Sequence, residues 1–194
     1  PLVQLSYVMT AVVMMAGFLI IPNIAAYLQL NLGFPRSALK YAYGVGGVAS
    51  LLSTQLGGRA VDRFGSFKVG TVGVLMVLLV VFWFFYLPHP PLAVWVVLLM
   101  FVSFMIANGL RNVSYNTLTT KVPSPDVRAR FQSLQSATQH GASALAAIIS
   151  AQMLTTVDSA HGVPTRKMVG MDKVALLSMG VSLIIPLLLF VVER

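Results

Sequence analysis

Two stretches of this chain, Val69–Leu87 and Ala175–Val192, run without one charged side chain. Each is close to the roughly 20 apolar residues that a helix needs to cross a bilayer. Lipid offers no partner to a backbone N–H or C=O, so only helices and closed barrels can span it. A barrel strand alternates apolar and polar residues over about ten positions. These runs are continuous, so the chain reads as helical. Composition agrees: of 194 residues, 57% are hydrophobic and 9% charged, with a mean hydropathy of +0.85. A soluble domain carries roughly a quarter charged residues. Soluble enzymes and free-standing binding domains are set aside on that ground.

Six hydrophobic segments follow one another: about Leu5–Leu30, Ser37–Val61, Val69–Leu87, Leu92–Leu118, Val127–Leu154 and Lys173–Val192. They predict one all-α domain over residues 1–194, a polytopic six-helix bundle. The Pro-rich turn Leu87–Pro91 is so short that the third and fourth helices form an antiparallel hairpin. Asp62–Gly65 turns between the second and third. Ser124 and Pro125 read as the N-cap and first residue of the fifth helix. Thr155–Asp172 is the longest break.

The net charge is +8. No basic cluster is interleaved with aromatics, so a nucleic-acid partner is not expected. Lys and Arg instead sit at loops and helix ends, where the positive-inside rule operates. One side carries Arg59, Arg63, Lys68, Lys121, Arg128, Arg130 and Arg194; the other carries Arg36, Lys40, Arg166, Lys167 and Lys173. That bias places the Arg59–Lys68 connection and both chain ends in the cytoplasm. The chain has no cysteine, which removes disulfides, thiolate metal sites and Cys nucleophiles. The third helix is apolar all round and ends in the aromatic cluster Phe82–Tyr86; the sixth is similar, and both are expected to face lipid. The first, second, fourth and fifth carry the polar and small residues.

The sharpest motif joins the second and third helices: Gly58, Asp62, Arg63, Gly65 and Lys68. The spacing Gly-x-x-x-Asp-Arg-x-Gly-x-x-Lys/Arg, between the second and third spans of a six-span set, resembles the signature loop of the major facilitator superfamily of transporters. Ser66 departs from the pattern, which has a basic residue there. Physically, Gly57 and Gly58 permit close helix approach. Asp62 can accept from Arg128 or Arg130, or face the positive N-terminal end of the fifth helix. Such a contact is a cytoplasmic gate latch; the plainer reading is a tight turn with topology-setting charges.

The fourth helix holds Asn108, Asn112 and Asn116 at four-residue spacing, which predicts one shared face, with Arg111 and Tyr115 on an adjacent ridge. An Arg inside a span costs roughly 2.5–3.5 kcal/mol on insertion scales, and function is the default reading. Its natural partner is an anionic or polar group of a solute; the alternative is snorkelling to the cytoplasmic interface. The fifth helix presents Gln135, Gln139 and Ser143 on one stripe with His140 adjacent. This suits a wet pathway, or else interhelical hydrogen bonds. His140 is a candidate for proton coupling or a structural donor. Asn23 and Tyr27 follow Pro22 near the outer end of the first helix, where they can line a cavity mouth. The ten methionines suit Cu(I) in principle, but read better as soft packing filler. No phosphate loop, His-Glu-x-x-His, Gly-x-Ser-x-Gly or in-span carboxylate pair is present. No enzyme, metal or cofactor is expected.

The resemblance implies a fold of two six-helix halves, each built from three-helix inverted repeats, with solute near the midplane between them. This chain has one half's worth of helices. Starting at Pro1 and closing on Glu193 and Arg194, it reads as the C-terminal half. The implied partners are the other half, the lipid bilayer, a small organic solute and protons. The implied activity is alternating-access transport, with efflux across a bacterial inner membrane as the common case. A self-sufficient homodimeric six-helix transporter or channel, and a non-transporting scaffold subunit, are the other readings.

Overall fold

The structure, a computed structural model, describes residues 2–158 and 166–193. The first pass is α1 (Leu2–Phe18) and α2 (Ile24–Leu30). The second is α3 (Leu39–Phe64). The third, α4 (Ser66–Val81), runs on into a π turn over Phe82–Tyr86. Then come α5 (Val94–Lys121) and α6 (Arg128–Met153). The last pass is α7 (Met171–Ser182) and α8 (Ile184–Glu193). Both divided passes break for one reason. Proline has no N–H for the carbonyl four residues back. Pro22 stands four residues past Phe18, where α1 ends, and Pro186 four past Ser182, where α7 ends.

The segments Leu2–Leu30, Ser66–Tyr86, Val94–Lys121 and Met171–Glu193 are long and apolar enough to cross a membrane. The helices α3 and α6 have 26 residues each, about 39 Å at 1.5 Å per residue. Their apolar character is diluted by the hydroxyls and amides of Ser50, Ser53, Thr54 and Gln55, and of Gln132, Ser133, Gln135 and Ser136.

The long break between α6 and α7 is not all loop. There β1 (Thr155–Asp158) pairs antiparallel with β2 (Arg166–Val169), Thr155 opposite Val169. Thr155, Thr156 and Val157 are β-branched, which suits a strand. Asn31 clamps the hairpin. Its Nδ2 donates to the Met168 carbonyl at 2.8 Å, and the Met168 N–H donates to its Oδ1 at 3.0 Å. A side-chain amide thus supplies the two bonds that a neighbouring strand would.

The helix α5 packs on both α3 and α4, while α1 packs on α6, α7 and α8. Contacts of α4 with α7 and α8, and of α1 with α5, join these groups. The helices α3 and α6 make no substantial contact with each other. One core lies around Leu28, Val97, Phe101 and Phe104; a second joins Met9, Val13, Val74, Tyr115, Ile185 and Leu189. The apolar helix α4 is two-sided. Val74, Val77 and Val81 are buried, whereas Val72, Leu75 and Leu79 are exposed.

Close approach of α4 to α5 depends on Gly73. A Cβ there would stand 2.7 Å from the backbone nitrogen of Arg111. Backbone cannot move aside as a side chain can, so Gly73→Ala should force the two helices apart. The expected cost is about 1–3 kcal/mol, a fall of several degrees in Tm in detergent. Gly180 of α7 has nothing within 4 Å of its added Cβ, so Gly180→Ala should leave Tm unchanged or higher. Equal Tm values for the two variants would contradict this packing.

Candidate functional site

Arg111 lies well inside α5 and is 2% exposed. Its Nη2 donates to Asn108 Oδ1 at 2.7 Å. Asn108 Nδ2 in turn donates to the Phe104 carbonyl at 2.8 Å, which fixes the amide. Nε and Nη1 of Arg111 and Oδ1 of Asn112 are buried atoms without a hydrogen-bond partner among the described residues. Gly17 of α1 makes room for the guanidinium, for a Cβ there would stand 3.1 Å from Nη2. Beside this group is a recess of about 150 Å³. Its walls include Gly17 and Ile21 of the first pass, Ser50 of α3, and Asn108, Arg111 and Asn112 of α5.

The asparagine row does not share one face. Four residues of α-helix turn about 400°, so each step drifts about 40°. Asn108 is accordingly buried, Asn112 half-buried and Asn116 exposed. Only the first two reach the recess. Gly17 and Ser50 were missed because a small residue in an apolar helix carries no sequence mark of what lies across from it.

The polar residues of α6 divide. Gln139 Nε2 donates to the Tyr115 hydroxyl at 2.7 Å, and Gln135 Nε2 to Thr119 Oγ1 at 3.0 Å. These bonds tie α6 to α5. Gln135 Oε1 stays unpartnered. His140 is exposed and has no hydrogen-bond partner among the described residues. Asn23 Nδ2 donates to Ser150 Oγ at 3.0 Å, joining the first pass to α6. Tyr27 is 4% exposed, and its hydroxyl donates to the Phe84 carbonyl at 3.0 Å. That ring packs toward the π turn, away from the Arg111 recess, whose lining does not include it.

The signature motif is less of a loop than expected. The helix α3 continues to Phe64, so Gly58, Asp62 and Arg63 are helical and Gly65 alone makes the turn, at φ +89°. Gly57 is the one that packs, against Leu110 of α5; Gly58 meets nothing within 4 Å. Asp62 is exposed and has no hydrogen-bond or ionic partner among the described residues, so no contact with Arg128 or Arg130 is made here. The Arg63 guanidinium lies 5.3 Å from the Phe64 ring. Lys68, Arg128 and Arg130 are exposed. Ser124 precedes the turn Pro125–Val127, but its hydroxyl makes no cap bond.

The carboxylate that meets this turn belongs to Glu193. Its Oε1 accepts from the Ser66 N–H at 2.7 Å and its Oε2 from the Phe67 N–H at 2.9 Å. The free N–H groups of α4 are thus capped from the end of α8, where the dipole also favours an anion. A sequence signal existed. Glu193 sits at the C-terminal end of its own helix, where an anion is disfavoured, so a partner elsewhere was to be sought. Glu193→Ala should cost about 1 kcal/mol and speed hydrogen exchange at the Ser66 and Phe67 amides, with Glu193→Gln intermediate. Unchanged exchange in Glu193→Ala would refute the cap.

The family model described as Major Facilitator Superfamily matches residues 1–147, from α1 through most of α6. No curated protein and no solved structure matches the chain.

Proposed function

The chain belongs to the major facilitator superfamily, and from that premise we propose that it is one six-helix half of a secondary transporter that exports a small organic solute. Members of this family are membrane transporters, and the apolar passes make this an integral, multi-pass membrane protein. Solute moves by alternating access, as this bundle rocks against a second one. Both chain ends are cytoplasmic, and the membrane is the bacterial inner membrane.

The observation that carries the reading is the Arg111 recess. A guanidinium in a span is costly, and this one borders a space walled by α1, α3 and α5, while its buried Nε and Nη1 have no hydrogen-bond partner among the described residues. A purely structural Arg would be expected to have its donors satisfied. The exposed side of α6, with Gln132, Ser136 and His140, supplies further polar wall. Asp62, free in this structure, serves as the cytoplasmic latch that engages when that side closes, with Arg128 and Arg130 as its basic partners.

The test is sided thiol labelling in the whole transporter, with cysteines outside this segment replaced. A single cysteine at Asn112 or His140 should react with a membrane-impermeant reagent from both faces, in right-side-out and in everted vesicles. Energising the membrane should raise one rate and lower the other. Protection from both faces would favour a scaffold subunit and overturn the reading.

A further inference from the structure

The recess beside Arg111 has a sign. The chain has five acidic residues, Asp62, Asp126, Asp158, Asp172 and Glu193. All stand at helix ends or in the connections between passes. Among the described residues no carboxylate pairs with Arg111, whose one hydrogen bond goes to the neutral amide of Asn108. A buried charge normally has an opposite charge as partner. The missing negative charge must therefore come from outside these helices.

We propose that Arg111 is the subsite for the anionic group of the transported solute, a carboxylate or an equally small anion, so that the solute is an organic acid. This rests on the transporter reading above and names its substrate class. Three observations fix the chemistry. Nε and Nη1 have no hydrogen-bond partner among the described residues and are closed off from solvent, so what the recess meets is the unneutralised charge of the guanidinium, a group that suits a carboxylate. Asn108 holds the group by Nη2 and by no carboxylate, so the positive charge is oriented but not neutralised. Asn112 borders the same recess, and an amide can bond a polar group next to the acid in either orientation.

Size sets the limit. A recess of about 150 Å³ equals roughly five waters of liquid volume. That is below the roughly 300 Å³ at which pockets for whole drug-sized ligands begin. It takes an acid group and its nearest atoms, and leaves the body of the solute to the space between halves. A cationic solute is excluded from this position by the guanidinium.

The experiment reads the charge directly. Ser50 lines the recess from α3, and Ser50→Cys is nearly isosteric. In the whole transporter this cysteine is labelled with an anionic and with a cationic thiosulfonate of similar size. The anionic-to-cationic rate ratio is then compared across variants. Asn108→Asp keeps the shape and supplies a counter-charge to Arg111; Arg111→Lys keeps the charge. The ratio should fall about tenfold in Asn108→Asp and in Arg111→Gln, and stay within about threefold in Arg111→Lys. Benzoate should slow labelling of the parent, and benzamide should not.

An equal ratio in the parent and in Asn108→Asp overturns the proposal. It would mean that a carboxylate of the other half already neutralises Arg111, and the transporter reading would stand. Equal protection by benzoate and benzamide overturns it too, since the site would then not select for charge. No labelling by either reagent overturns it together with the water-filled cavity. Asn108→Asp should fold even if Arg111→Gln does not, so the comparison does not depend on the harsher variant.

Discussion

A guanidinium held among apolar helices, with a neutral amide as its one partner, is the constraint around which this bundle is arranged. Moving such a charge into a span costs roughly 2.5–3.5 kcal/mol even where water and lipid adapt. The surroundings of Arg111 are shaped to it. Gly73 brings the backbone of α4 against the backbone of α5 at that residue, and Gly17 opens α1 just enough for Nη2. Asn108 is itself anchored on the helix carbonyl of Phe104. These contacts fix the position of the charge and leave part of its hydrogen-bonding capacity unused. An arrangement that holds a charge without neutralising it suits a group that arrives and leaves.

The rest of the bundle is joined to that site by a few polar bonds. Glu193 ties the end of α8 to the start of α4 through two charge-assisted bonds, which brings the end of the last pass to the turn of the signature motif. Gln139 and Gln135 reach from α6 to Tyr115 and Thr119 of α5. Each is a long side chain, so α5 and α6 are coupled without close backbone contact. The Asn31 clamp secures the hairpin at the other end of the bundle. Polar bonds therefore mark the joints between helices, and apolar contacts fill the groups they join.

Much of this was legible in the residues. Uncharged apolar runs of bilayer length announced a helical membrane protein, since lipid leaves no other option to continuous apolar backbone. The spacing of Gly58, Asp62, Arg63, Gly65 and Lys68 resembled the family whose model matches the chain. Arg111 and Asn108 stood out because charge and amide inside a span are expensive. Other features were hidden, for physical reasons. The drift of a four-residue repeat around a 3.6-residue helix separates Asn116 from Asn108. Tyr27 lines a recess with Asn31, Phe85 and Met171, separate from that of Arg111, and gives its hydroxyl to the Phe84 carbonyl. The partners of Glu193, Ser66 and Phe67, lie 127 and 126 residues away in sequence, and no local pattern connects them. The hairpin β1–β2 is held from outside by Asn31, so its own residues announce it weakly.

The central claim is that Arg111 borders water within the membrane. A nitroxide side chain at Asn112, in the whole transporter reconstituted in a bilayer, tests it by collision with two quenchers. One is a polar nickel chelate, which stays in water; the other is oxygen, which concentrates in lipid. The account predicts that Asn112 is reached better by the chelate, while a nitroxide at Leu79, exposed on the lipid side of α4, is reached better by oxygen. Exclusion of the chelate from Asn112, whether oxygen reaches it or not, would contradict the account.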